Sequence, residues 1–580
     1  MSNTDKRFVI KIAGAAGQGI KTAGLIIAKS FKRAGFMTFG YTEYPSLIRG
    51  GHNVFQIEVY DEHLSSVSEE VDILLALDQT SVNVHYQELS STGAIIYDEN
   101  AITIKPEILT EINKKGISIY PVKLMDEATK VGGNALMKNT VALGSLWKVL
   151  DMDLKYIKEL ITETYNKSQE MIDMNIKCLQ AGYDNVTTSQ KYTSNLTAKD
   201  EFKNNIFITA NEAIGLGAIA AGVRLYISYP MTPASSILSY LASNGPKYGM
   251  VVKQAEDEIT TANIAIGAAH AGTRVMCGTS GGGFDLMTET LSLSGMTEIP
   301  FVCVIAQRPG PATGLPTWTA QGDLNLAVFG GHGEFSRIVL AISDVNEAFY
   351  MVNEAFNLAE MYQIPVLILT DKYLSESNFS VPRYDMSKIE IKRGKIVQEE
   401  NDKILRYALT DDGVSPRWFP GDKVATFLAN SDEHNTKGYS TEDEKIISES
   451  MEKRTRKEKT IYKDFPEPTV IGDPASSDLS IISWGSNKGV IMDVINQLTK
   501  NGKKVSYLHV KYIWPLKKEV ITKFIKGSKN CVIVEGNVTG QLASLIKRET
   551  GLEIPKKLLK YNGRPFTYEE LLSQLQKLFK

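Results

Sequence analysis

A chain of 580 residues is longer than one hydrophobic core organises, so three or more domains are expected. Hydrophobic residues at 43% and charged residues at 23% exclude a disordered or fibrous chain, and a net charge of -3 gives no overall pull toward nucleic acid or acidic lipid. There is no basic stripe with interleaved aromatics and no apolar run near the ~20 residues that span a bilayer, so neither a nucleic-acid nor a membrane partner is expected.

The opening residues Met1 to Arg7 carry neither a long apolar run nor a small-residue cleavage site, and a cytoplasmic protein is expected. Phe8 to Ala13 reads as a buried strand, Gly14-Ala15-Ala16-Gly17-Gln18-Gly19 as a turn, and Thr22 to Phe31 as a helix. Short apolar runs at Val54–Val59, Val71–Leu77 and Ala94–Tyr97 alternate with helical patterns, which predicts crossover units on a mostly parallel sheet. As a dinucleotide fingerprint the glycine turn is broken, because Thr22 stands where a third glycine belongs; a tight turn, a phosphate site or a subunit contact remain open. Arg49, in Pro45-Ser46-Leu47-Ile48-Arg49-Gly50-Gly51, is placed to hold an anion or is an exposed arginine beside a turn. Asp184 to Lys199 is polar and aperiodic, as a linker is.

A second α/β unit runs from about Asn211 to Thr370, with Phe301 to Ala306 as a buried strand. After the apolar Leu225-Tyr226-Ile227, the segment Ser228-Tyr229-Pro230-Met231-Thr232-Pro233 fixes the backbone with two prolines where open α/β sheets bind ligands; Ser235 or Ser236 could simply cap the next helix. Gln254-Ala255-Glu256-Asp257-Glu258 opens a helix rich in alanine and glycine. Burial there raises a carboxyl pKa and lets one of Glu256 and Glu258 share a proton with a heterocycle nitrogen, while the helix dipole accounts for the other. Gly278-Thr279-Ser280-Gly281-Gly282-Gly283 follows, and then Arg308 leaves the buried strand into a rigid Pro/Gly loop that ends near Thr317, a fork for a carboxylate or a surface arginine beside a turn. From about Pro382 to Pro468 charged and polar residues dominate, as in a connecting arm with one charged helix, a mobile lid or a solvated linker. A last α/β unit starts at Leu479. Cys178, Cys277, Cys303 and Cys531 are scattered, which fits neither a disulfide framework nor an iron–sulfur cluster on this chain.

Taken in order, these blocks resemble the 2-oxoacid:ferredoxin (or flavodoxin) oxidoreductases, specifically alpha subunits with a gamma-type domain fused in front. Gly14–Gly19, Tyr44–Gly51 and Lys138–Gly144 are similar to the gamma domain. Tyr229-Pro230-Met231-Thr232-Pro233 resembles the YPITP signature with Met for Ile, and the likeness continues through Gln254–Glu258, Arg308–Thr317, Asp432–His434, Tyr512–Leu516 and Val534–Gln541.

The resemblance implies a multidomain α/β chain. Its parts would be a gamma-type domain over residues 1–186, a linker over 187–200, a pyrimidine-binding domain of the thiamine diphosphate fold over 201–380, a charged arm over 381–470 and a transketolase-C-terminal-like domain over 471–580. It implies Glu256 on the aminopyrimidine ring of thiamine diphosphate, Tyr229 and Pro230 shaping that pocket, Thr232, Arg308 and Thr317 on the 2-oxoacid, and Arg49 on a phosphate of coenzyme A. With no GDG…N motif present, Mg2+ and a [4Fe-4S] cluster are expected in a separate beta subunit, with no metal held here. Ferredoxin or flavodoxin would take the electrons, and a dimer of alpha–beta units is expected. The fused layout leans toward 2-oxoglutarate; pyruvate, a branched-chain 2-oxoacid, and a non-catalytic binding subunit are the alternatives. An NAD-linked dehydrogenase is opposed by the broken glycine pattern.

Overall fold

The computed structural model describes residues 7–47, 50–63, 65–166, 168–187, 196–399 and 403–579. Arg49 and residues 188–195 of the expected linker lie outside them. The chain forms two compact units, one of residues 1–208 with 377–383 and 566–573, the other of the remainder.

The first unit is built on an eight-stranded sheet. Phe8–Ala15 lies at its centre, parallel to Val71–Ala76 and antiparallel to His52–Tyr60. Val71–Ala76, Leu89–Asp98 and Ser118–Val122 continue in parallel, whereas Met37–Glu43 runs antiparallel to both His52–Tyr60 and Asn378–Val381. The expectation of a mostly parallel sheet therefore holds for one half only. Only eight residues separate Met37–Glu43 from His52–Tyr60, too few for a crossover helix, so the two strands pair antiparallel. The helix Ile20–Ala34 buries Ile26, Ile27 and Phe31 on the sheet, and Phe31 meets Trp147 with ring centroids 5.7 Å apart.

The second unit contains a seven-stranded and a five-stranded sheet. Six strands of the larger sheet are parallel, in the order Ile338–Ala341, Pro365–Asp371, Phe301–Gln307, Val275–Thr279, Leu225–Ser228 and Val251–Gln254. Tyr512–Trp514 closes the far edge in antiparallel sense, so the C-terminal segment contributes a strand to the central sheet. Phe301–Gln307 and Pro365–Asp371 are buried along their whole length, as strands covered on both faces must be. The smaller sheet pairs Val505–His509, Leu479–Ser483, Cys531–Glu535 and Lys556–Leu559 in parallel, with Thr469–Ile471 antiparallel at one edge.

The charged region is neither solvated throughout nor loose. Its helix Glu444–Asp464 buries Lys453, Arg454 and Lys457. Lys453 and Lys457 both pair with Glu298, the latter at 2.7 Å, and all three side chains are at most 2% exposed. A second buried carboxylate, Glu360, takes Arg274 at 2.9 Å, Arg393 at 2.8 Å and Arg417 at 3.3 Å. The high charge content is thus the chemistry of an internal contact. No helix among the described residues is long and apolar enough to cross a membrane.

Candidate active site

The parallel order sets the site. Val251–Gln254, Leu225–Ser228, Val275–Thr279 and Phe301–Gln307 are consecutive neighbours, so the turns that follow them meet along one carboxyl edge of the sheet. Glu256, the segment Tyr229–Thr232, Ser280 with the helix start Gly281–Gly283, and Arg308 follow those four strands in that order, where open parallel sheets place ligands. Arg308 bridges two of them: its Nη1 donates to Thr232 O at 2.9 Å. Burial lowers the pKa of the half-buried guanidinium and Asp323 opposes that shift; an arginine so placed remains a cation.

Around this edge several predicted residues take defined places. Tyr229 is 38% exposed and Pro230 is exposed beside it. Neither Ser235 nor Ser236 caps the following helix; its N-cap is Ala234, and Ser236 Oγ instead accepts from Asn211 at 2.7 Å. The helix Glu258–His270 is capped by Asp257, whose side chain accepts from Thr260 N at 2.7 Å. The burial asked of a proton-sharing glutamate falls to Glu258 and not to Glu256. Glu256 lies exposed on the turn, while Glu258 is 4% exposed with its carboxyl pKa raised, chiefly by burial and then by Asp257. Thr317 is buried and its hydroxyl has no hydrogen-bond partner.

The glycines are explained by carboxyl groups. A Cβ on Gly281 would stand 2.5 Å from Asp323 Oδ1, and one on Gly283 would stand 2.5 Å from Glu258 Oε1 and collide with the Thr279 hydroxyl. Glu258 Oε1, Asp323 Oδ2, Ser280 Oγ and Thr317 Oγ1 are all buried without a hydrogen-bond partner. Native proteins rarely leave such atoms unmatched, and of these Ser280 and Asp323 line the cleft described next.

Beside Arg308 opens a cleft of about 550 Å³, lined among others by Ser280, Asp285, Pro309, Asp323, Asn537 and Tyr561. Its far wall is the segment Val534–Gln541. Glu535 accepts from Leu542 N at 2.9 Å, Ala543 N at 3.0 Å, Asn537 at 3.0 Å and Trp484 at 3.1 Å, so a fully satisfied carboxylate shapes the turn. Gln321, which no sequence pattern singled out, ties the Arg308 loop to this wall. Its Oε1 accepts from Asn487 and from Gly536 N, both at 2.8 Å, and its Nε2 donates to Trp484 O at 3.2 Å. Gln307 and Asp323 were missed as well: Asp323 reads in sequence as an ordinary cap for Leu324–Phe329, yet it makes no cap hydrogen bond.

The first unit has a cavity of its own, about 240 Å³, lined by Gly17, Gly19, Thr22, Asn139 and Tyr165 among others. Gly17 and Gly19 take φ of 87° and 73°, conformations that favour glycine, and the cavity lies beside the turn they make. Arg49 lies outside the described residues.

Comparison with known proteins places this arrangement. Residues 216–453 match the thiamine-diphosphate-binding family model of pyruvate flavodoxin/ferredoxin oxidoreductase, residues 9–185 match the pyruvate ferredoxin/flavodoxin oxidoreductase model, and residues 477–571 match core domain II of pyruvate:ferredoxin oxidoreductase. The alpha subunit of 2-oxoacid:ferredoxin oxidoreductase from Sulfolobus sp is 34% identical, over 98% of this chain and 96% of the relative. The KorA subunit of 2-oxoglutarate synthase from Methanothermobacter thermautotrophicus is 31% identical over 64% of this chain and 98% of its own. The solved 2-oxoglutarate:ferredoxin oxidoreductase from Magnetococcus marinus, with 2-oxoglutarate, coenzyme A and succinyl-CoA bound, superposes with a TM-score of 0.92 at 31% identity, covering 99% of this chain and all of that one. The chain belongs to the 2-oxoacid:ferredoxin oxidoreductases and corresponds to their alpha subunits. It is part of an oxidoreductase, and the relatives' subunit names make that enzyme a multisubunit one.

Proposed function

We propose that the chain is the gamma–alpha fused subunit of an enzyme that oxidatively decarboxylates a 2-oxoacid to an acyl-coenzyme A and CO2, passing electrons to ferredoxin. A separate beta subunit would complete it and carry Mg2+ and the [4Fe-4S] cluster. The observation that carries the reading is Arg308, a half-buried guanidinium at the carboxyl edge of the sheet, bonded to Thr232 O and lining a cleft. A fixed planar cation with donors to spare suits a carboxylate. 2-Oxoglutarate is the favoured substrate, supported by the names of the KorA relative and of the Magnetococcus marinus enzyme.

The residues fit thiamine diphosphate on the pyrimidine side. Glu256 is exposed at the edge, where a ring nitrogen can reach its carboxyl, the buried Glu258 beside it has the raised pKa that a shared proton needs, and the unmatched Ser280 hydroxyl lies two strands further along. When bound, that cofactor supplies the carbanion-stabilising centre for decarboxylation. This chain's residues would hold the pyrimidine ring through Glu256, wall it with Tyr229 and Pro230, and orient the 2-oxoacid through Arg308, Thr232 and Thr317. Coenzyme A is assigned in part to the first unit, where the Gly17–Gly19 turn and a phosphate contact from Arg49 would serve it.

The test is coenzyme-A-dependent reduction of an artificial acceptor by the chain alone and in complex with its beta subunit, over a panel of 2-oxoacids. Activity is expected only in the complex, greatest with 2-oxoglutarate, and reduced about 100-fold or more in Glu256→Ala and Arg308→Ala. An active isolated chain, or full turnover in both variants, overturns the assignment; a preference for pyruvate overturns the substrate alone.

A further inference from the structure

We propose that Asp323 is a second recognition group for the anionic substrate, presenting a carboxyl proton to the cleft beside the Arg308 guanidinium. The inference rests on the 2-oxoacid reading above and adds to it a residue with another apparent job. Asp323 holds the N-cap position of Leu324–Phe329, where an aspartate ordinarily accepts from the first helical amides, yet its side chain makes no such bond. Its backbone N–H is held instead, by Gln307 Oε1 at 3.0 Å, and Gln307 is fixed in turn by donating to Thr370 O at 3.1 Å. That pair of bonds aims the carboxyl at the gap over Gly281, where a Cβ would stand 2.5 Å from Oδ1 and 2.6 Å from Oδ2.

Oδ2 is buried with no hydrogen-bond partner. A buried carboxyl oxygen without a donor disfavours the charged form and raises the pH at which the proton leaves. The charged groups facing it are Asp285, at the end of the short helix Gly281–Asp285, and Arg308, at the end of Phe301–Gln307. From the C-terminal wall the cleft is faced by Asn537, Thr539, Gln541 and Tyr561. Burial first, and Asp285 second, push the Asp323 pKa up to about 6 against the pull of Arg308. Below that pH the cleft offers an anion the guanidinium N–H groups not donated to Thr232 O, and a carboxyl O–H. Above it the O–H is lost and a like charge takes its place.

The experiment is the KM for the 2-oxoacid in the complete enzyme at saturating coenzyme A, followed across about two pH units on either side of the Asp323 pKa. In the wild type KM is expected to rise roughly tenfold through a step near pH 6. Asp323→Asn keeps a donor but cannot ionise, so the step should vanish. Asp285→Asn removes the neighbouring like charge and should move the step to lower pH, which keeps the inference falsifiable if the first variant does not fold. Superimposable profiles for wild type and Asp323→Asn, or a step unmoved in Asp285→Asn, overturn it while leaving the substrate reading intact. A complex that turns over no 2-oxoacid overturns that reading and this inference with it.

Discussion

Two regions of the second unit handle buried carboxyl groups in opposite ways. Where the charged arm meets the helices Thr288–Thr297 and Val345–Tyr362, Glu298 faces two lysines and Glu360 three arginines. At the carboxyl edge of the large sheet, Glu258 and Asp323 each keep a buried oxygen without a partner. The pKa shifts separate accordingly. Burial works against ionisation of Glu298, but Lys453, Lys457 and Arg406 outweigh it and hold that carboxyl far below the usual range. Burial wins at Glu258 and Asp323, and both are raised. Matched buried charges hold a contact together; unmatched ones are tolerated where a ligand or another subunit is to complete them.

The sharpest way to break that comparison is to neutralise the matched carboxylates. Glu298→Gln or Glu360→Gln leaves buried cations facing an amide and should cost ~3–5 kcal/mol, read as a lowered midpoint in denaturation of the whole chain. The pH dependence follows from the sign of the shift. A carboxyl whose folded pKa is depressed contributes stability above the unfolded value near ~4.3 and loses it as pH falls, so Glu298→Gln should flatten the acid limb of the stability profile. An unchanged acid limb would mean that the arm is held by other contacts.

Gln321 should come next in size. Gln321→Leu strips partners from Gly536 N, Asn487 and Trp484 O, each worth ~1–3 kcal/mol when left buried and unmatched. Because the lost bonds hold the Arg308 loop, the KM for the 2-oxoacid should rise more than kcat falls. Equal losses in both would point to general unfolding.

The smallest effect is expected at Glu258. Burial raises the Glu258 pKa and leaves Oε1 without a partner, so the isosteric amide removes little that the carboxyl supplies, and Glu258→Gln should stay within about 1 kcal/mol of wild type. Its folded pKa is raised, so the stabilising contribution exists at acid pH and is lost as pH rises through the folded value; Glu258→Gln should remove that alkaline loss. A cost as large as that of Glu298→Gln would erase the distinction between the two regions.

Much was legible before any coordinates. Apolar runs marked strands such as Phe301–Gln307 and Val71–Ala76, because a strand covered on both faces must be apolar along its length. Prolines and glycines after those strands located the turns that bear Thr232 and Arg308. Misreadings came where local pattern and tertiary partner differ. The antiparallel half of the first sheet could not be told from a parallel one, since both bury alternating or continuous apolar faces. For the charged region the sequence left a connecting arm with one charged helix, a mobile lid and a solvated linker all open, because charge usually means water, and only its carboxylate partners on other elements show that part of it is buried.

What the sequence by itself determined is therefore the set of α/β units, the turns at strand ends and the residue types that can bind an anion there. Tertiary structure alone decided which of Glu256 and Glu258 is buried, why Gly281 and Gly283 must lack side chains, and that Gln321 and Asp323 belong to the cleft. Those facts depend on contacts between segments far apart in the chain, such as Gln321 with Gly536 or Asp323 with Gly281. Burial, and with it the cost of a charge, is a property of what packs around a residue, and no local pattern records it.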